Sequence, residues 1–337
     1  MELDHGQARV GQFYLPSLSE SAILLRMGQN FVSLESELAA FTFLDTQNVL
    51  LGCINFPTVP ATGVPHTVSL LVVDFVKSSS ERIDIHDIEY QCALLFPEMQ
   101  AEIAPDMVYI RAGSSTSRNM AGFPHDRVPF RTSHEDRLLV ISVWLGLVNH
   151  VGPLQLFVPA QTILSLLTSE TCAGGNKTLI PWEAWGPSGT RLLIASEDYS
   201  AVWVCNVAGC KFATVREHDI VAGTRYAIVY DFNQPALRRA IAEGNSEYSD
   251  PTNGVRSVCV TKPNTLSQRL IFKDEVVTSL PYRSTVKRIE VGTDRRHAVA
   301  AVMMTEDALV TVHPVRPFTL HGPSSSFIDR LFLRNAC

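Results

Sequence analysis

Charge is scarce in this chain. Asp, Glu, Lys and Arg make up 18% of its 337 residues, against roughly a quarter in an ordinary soluble domain. Combined with 46% hydrophobic residues, this excludes a disordered chain, which has few apolar groups and many charges. A basic surplus is missing too. The 28 Lys and Arg stand against 34 Asp and Glu, a net charge of −6, so nucleic-acid binding through bulk attraction to phosphate is excluded. No apolar run reaches the roughly 18 residues of a membrane helix, so no membrane contact is expected. Gly and Pro, 19 each, are at average abundance, which rules out collagen-like and linker-like chains.

The signatures of common chemistries are missing as well. The seven cysteines are scattered and form no Cys-x-x-Cys pair. Cys205 and Cys210 lie close together but have no second pair or His cluster near them, as a zinc site needs. The cysteines read as buried, reduced thiols. The start, Met1-Glu2-Leu3-Asp4-His5, has neither the basic nor the apolar region of a signal peptide. The expected location is therefore intracellular, cytoplasmic or nuclear, and the sequon Asn176-Lys177-Thr178 is a chance match. Gly174-Gly175-Asn176-Lys177-Thr178 has Asn where a phosphate loop has Gly. No Gly-x-Ser-x-Gly elbow occurs. His134-Glu135-Asp136 is followed by Leu138 where a zinc helix needs its second His. The expectation is no catalytic residue, no metal and no cofactor.

What is present is a long series of short apolar runs between turn-rich segments. Residues 40–51 read as strand, turn and strand, with the turn at Leu44-Asp45-Thr46-Gln47-Asn48. Residues 69–76, 93–96 and 107–110 read as strands, and 138–147 with 154–158 as a hairpin. Further runs follow at 191–195, 201–207, 211–215, 225–231, 257–261, 269–272, 298–304 and 308–313. Their Val, Ile, Phe, Tyr and Trp suit a pleated surface. Two stretches read as helix. In 159–167, Ile163, Leu166 and Leu167 share a face; in 235–243, Asn233 caps, Pro235 opens and Gly244 ends the segment. No strand–helix–strand alternation is visible, which argues against a doubly wound sheet. The fold class is therefore all-β. Strand pairs recurring every 40–60 residues or so suit a β-propeller-like body with irregular blades and a few short helices. The expected organisation is an N-terminal segment over 1–35, left from a preceding module, one propeller-like domain over 36–320, and a C-terminal tail over 321–337.

One segment stands apart. Ile180-Pro181-Trp182-Glu183-Ala184-Trp185-Gly186-Pro187 places two of the four tryptophans within four residues, between two prolines. The rings either fill gaps between blades or present an exposed anchor for a partner, with Arg191 stacked on one of them. Trp182, Trp185 and Arg191 are thus the candidate partner-binding residues. Lys287, Arg288, Arg295, Arg296 and His297 read as a solvated basic loop.

The order of these strings resembles a known family. His134-Glu135-Asp136-Arg137-Leu138-Leu139-Val140, Leu154-Gln155-Leu156-Phe157-Val158-Pro159-Ala160 and Pro181-Trp182-Glu183-Ala184-Trp185-Gly186-Pro187 come first. Thr190-Arg191, Tyr230-Asp231-Phe232-Asn233 with Arg238-Arg239, and Asp274-Glu275-Val276 with Leu280-Pro281-Tyr282-Arg283 follow. Together they are similar to the C-terminal region of F-box proteins expanded in mushroom-forming (basidiomycete) fungi. The resemblance implies a β-rich, propeller-like region that holds a protein substrate in a ubiquitin-ligase complex, behind an F-box that docks on a Skp-type adaptor. Leu15-Pro16-Ser17-Leu18 has the opening dipeptide of an F-box, but Gly28 interrupts the helical pattern and strand-like sequence begins by Ala40. The F-box is expected to be absent or truncated, and the adaptor is a partner only where it is present. The functional expectation is a non-enzymatic protein–protein interaction module. The competing expectations are a propeller-type hydrolase or lyase with carboxylates in a central pocket, and a gene fragment with an exposed strand edge.

Overall fold

Among the described residues strands dominate, with three short helices, as the apolar runs predict. The computed structural model describes residues 37–54, 68–77, 88–101, 103–113, 137–145, 152–168, 177–195, 205–219, 224–266, 271–289, 301–305, 308–313 and 332–335. The expected N-terminal segment 1–35, the charged start His134-Glu135-Asp136, residues 201–204, and Arg295, Arg296 and His297 lie outside them.

The first sheet is an antiparallel meander of β1 (Glu37–Phe43), β2 (Asn48–Ile54), β3 (Val68–Asp74) and β4 (Cys92–Leu95). The second begins as another meander, β5 (Pro105–Ala112), β6 (Leu138–Leu145) and β7 (Leu154–Pro159). The chain then makes α1 (Ala160–Leu167) and crosses back as β8 (Thr178–Ile180), which adds to the first sheet parallel to β4. It continues through α2 (Trp182–Gly189) into β9 (Arg191–Ile194), which pairs with β7 and completes the second sheet. The β8 excursion therefore ties the two sheets together covalently.

The third sheet contains β10 (Val207–Ala208), β11 (Lys211–Asp219), β12 (Thr224–Asp231), β13 (Glu247–Asp250), β14 (Val255–Val260) and β17 (Tyr282–Ile289), with α3 (Gln234–Ala242) inserted after β12. Its order is β10-β11-β12-β17-β14-β13. β15 (Asn264–Leu266) and β16 (Val276–Thr278) form a separate ribbon, and β18 (Ala301–Met304), β19 (Leu309–His313) and β20 (Phe332–Asn335) form the fourth sheet. The expected tail 321–337 thus contributes a strand, paired with β19.

The sheets stack face to face in series, and side-chain alternation shows how. Along β2, Leu50 and Ile54 enter one core while Val49, Leu51 and Cys53 enter another. Along β6, Leu139, Ile141 and Val143 face the first sheet, while Leu138 and Val140 meet Phe212, Phe232 and Leu280 of the third-sheet region. Ala213 and Ala227, on the far face of the third sheet, pack on Val302 and Met304 of β18. Inner strands buried on both faces explain the continuous apolar runs and the low share of charge. Among the described residues the sheets do not close into a barrel or a propeller.

The helix expected at 235–243 forms as α3. Asn233 Oδ1 accepts a hydrogen bond from Ala236 N at 3.0 Å, and Gly244 follows the helix at φ +76°. Three expectations are corrected. Residues 269–272 form no strand where described; Phe272 makes an isolated bridge to Met99. Lys287 and Arg288 are not in a loop but in β17, between β12 and β14. That strand escapes the sequence pattern because each of its side chains is half-buried or exposed, so no apolar alternation marks it. The string Pro181 to Pro187 is a helix, α2, where only a fixed backbone was expected.

Candidate functional site: a tryptophan plug and two buried arginines

Trp182 opens α2 after Pro181, which supplies an extended lead-in at φ −67°. Gly186 lies one turn on, and a Cβ there would overlap the Trp182 ring. Glycine at this spacing lets the indole lie flat on the helix backbone. Trp185 is perpendicular to it, with ring centroids 5.2 Å apart, and Phe96 contacts both rings at 6.4 and 6.3 Å. Trp185 Nε1 donates to Leu95 O at 3.0 Å, so the ring's polar edge is satisfied where β4 ends. Trp182 and Trp185 are 6% and 2% exposed and belong to the core between the first two sheets. The reading of one ring as an exposed anchor is therefore corrected: both rings plug the core.

Arg191 is also internal, at 1% exposure. Its Nε donates to Leu280 O at 2.9 Å, Nη1 to Thr278 O at 3.2 Å and Nη2 to Lys262 O at 3.0 Å. The Tyr282 ring lies against the guanidinium, 5.0 Å from its centroid. Burial lowers the Arg191 pKa and Tyr282 partly offsets this; arginine's ordinary value is so high that the charge remains. Neighbouring bonds run the same way. Leu192 N donates to Thr278 Oγ1 and Asn264 Nδ2 to Leu192 O, while Ser279 N reaches Pro187 O. Arg191 therefore fastens the 262–282 segment along the edge of the second sheet. As it sits, none of Trp182, Trp185 and Arg191 offers a surface to a partner.

A second buried arginine was quoted in the sequence without being singled out. Arg137 precedes β6 and is 8% exposed. Its carbonyl accepts from Ala160 N at 2.9 Å, which places it beside the start of α1. Its Nε and Nη2 have no hydrogen-bond partner. Burial lowers the Arg137 pKa, partly offset by the Asp45 carboxylate in the β1–β2 turn. Asp45 is itself occupied: Oδ1 accepts from Gln47 N at 2.6 Å and Asn48 N at 2.7 Å, and Oδ2 from Asn48 Nδ2 at 2.9 Å. The polar cluster continues through Gln91 Nε2 to Asn48 Oδ1 at 3.0 Å and Gln47 Nε2 to Asp74 Oδ2 at 2.6 Å. Burial acts to raise the Asp74 carboxyl, but hydrogen bonds from Gln47 and Lys77 and the Lys77 charge outweigh it and hold the group below its ordinary value. The sequence signal for Arg137 was a cation directly abutting the uninterrupted apolar run Leu138-Leu139-Val140-Ile141.

Among the described residues, no group of three or more His, Cys, Asp or Glu side chains is placed to hold a metal ion. The buried Cys53 thiol is pushed up to about 12 by desolvation, which keeps it protonated and unreactive. No helix among the described residues is long and apolar enough to cross a membrane. No protein-family model matches the chain, and no curated protein or solved structure is similar to it.

Proposed function

We propose that the chain is a non-enzymatic protein–protein interaction module, of the kind that holds a substrate behind the F-box of a ubiquitin-ligase subunit, working inside the cell. In this reading the stacked sheets are irregular, propeller-like blades, and the two opening meanders are adjacent blades. The observation that carries the proposal is the edge strand β13. It is the outermost strand of the six-stranded sheet, and Glu247, Tyr248 and Ser249 are exposed, Tyr248 at 57%. The turn that follows the edge strand is closed by hydrogen bonds to one carboxylate. Asp250 accepts from Thr252 N at 3.0 Å, Asn253 N at 3.3 Å and Asn253 Nδ2 at 2.7 Å, and Gly254 completes the turn at φ +59°. A pre-organised edge with an exposed tyrosine suits a partner that adds a strand and packs against the ring, at little ordering cost.

The test is a quantitative pulldown from native lysate with wild type and Tyr248→Ala, folding being checked by circular dichroism. The expected result is that a protein enriched by the wild type falls by about tenfold with the variant, as loss of a central aromatic contact predicts. The same proteins at the same abundance would overturn the proposal. Co-recovery of a Skp-type adaptor would overturn the expectation that the F-box is absent or truncated.

A further inference from the structure

Folded proteins pair or hydrogen-bond the charges they bury. Arg137 breaks that rule with two donors at once, Nε and Nη2. These are the two donors on the side edge of the guanidinium, the edge that matches two oxygens of one planar or tetrahedral anion. From this geometry we infer that Arg137 is the recognition point for an oxyanion, a carboxylate or phosphate group supplied from outside the chain. The inference does not rest on the interaction reading above.

Three features of the surroundings support it. Asp45, the carboxylate whose charge reaches Arg137, already accepts three hydrogen bonds on its two oxygens. The α1 helix starts beside Arg137, with Ala160 N bonded to the Arg137 carbonyl. The first turn of α1 has no side-chain cap and no acidic residue, so its positive end is not neutralised locally. Ser69 and Ser142 also leave a buried hydroxyl unpaired, Gln155 an amide nitrogen and Asn206 an amide oxygen, and these groups are neutral. A hydroxyl or amide is cheaper to leave unpaired than a guanidinium, and only the guanidinium specifies the charge of what it lacks.

The test is isothermal titration calorimetry on the full chain, with inorganic phosphate in one arm and acetate in the other, at ionic strength matched with sodium chloride. The proteins are wild type, Arg137→Met, Arg137→Lys and Arg288→Met, the last removing an exposed cation on β17. The expected result is saturable binding of one anion to wild type and to Arg288→Met. It should be at least about tenfold weaker in Arg137→Met, the loss of charge-assisted hydrogen bonds. Arg137→Lys should fall between, because an ammonium keeps the charge without the two-pronged edge. Which anion saturates identifies the ligand as phosphate-bearing or carboxylate-bearing. If Arg137→Met does not fold, the Arg137 Nε–H resonance of wild type decides, and a saturable shift with either anion supports the inference. No saturable response to either anion, or equal binding by wild type and Arg137→Lys, would overturn it.

Discussion

Two arginines lie buried among the described residues, and they are opposites. Arg191 gives its donors to three backbone carbonyls and lies against an aromatic ring. Arg137 is almost as inaccessible, yet its Nε and Nη2 meet no acceptor. Exposure alone does not separate a structural cation from a ligand-binding one; the state of the donors does. A satisfied guanidinium works as a fastener, and each carbonyl it serves depends on it. An unsatisfied one is a cost that stability alone does not explain, and such costs gather where function requires them.

The largest expected effect lies on the Arg191 side. Arg191→Met should lower the unfolding free energy by about 3–5 kcal/mol, because it strands the buried carbonyls of Thr278 and Leu280 and removes the tie to Lys262. Urea unfolding at unchanged slope is the measurement. A loss below about 1 kcal/mol would show that water replaces the guanidinium and would dissolve the contrast between the two sites.

A smaller effect lies at the polar cluster near Arg137, and its sign follows from linkage. The Asp74 carboxyl is held below its ordinary value in the fold, while in the unfolded chain it titrates near about 3.9. Its contribution is therefore full above that unfolded value and is lost as pH falls through the lower folded value. Acidification from about pH 6 to about pH 3 should destabilise wild type more steeply than Asp74→Asn, measured as urea midpoints at each pH. Parallel curves would mean that the Gln47 and Lys77 hydrogen bonds do not favour the ionised form.

Sequence reasoning reached the fold class because inner strands buried on both faces leave an unbroken apolar run, as in β2, β3 and β6. It also read α3 from its cap, Pro235 and Gly244. It missed β17 because a central strand with half-exposed side chains leaves no period. It missed α2 because Pro187 and two glycines argue against a helix locally, whereas the Trp182–Gly186 contact and core burial decide in its favour. The candidate site followed the same divide. The residue types at Trp182, Trp185 and Arg191 were conspicuous, but their burial depends on β4 and on the 262–282 segment, which are distant in sequence. Arg137 was inconspicuous, since an orphaned donor is a fact about three-dimensional neighbours.

Unfolding of wild type and Arg137→Met by urea, each with and without the anion that binds, tests the contrast most directly. Without anion, Arg137→Met should be at least as stable as wild type, since replacing an uncompensated buried charge by an apolar side chain is neutral or stabilising by up to about 4 kcal/mol. Added anion should then raise the stability of wild type alone. Destabilisation of Arg137→Met by about 3 kcal/mol or more without anion, or equal stabilisation of both proteins by it, would contradict the assignment of Arg137 as a binding rather than a structural charge.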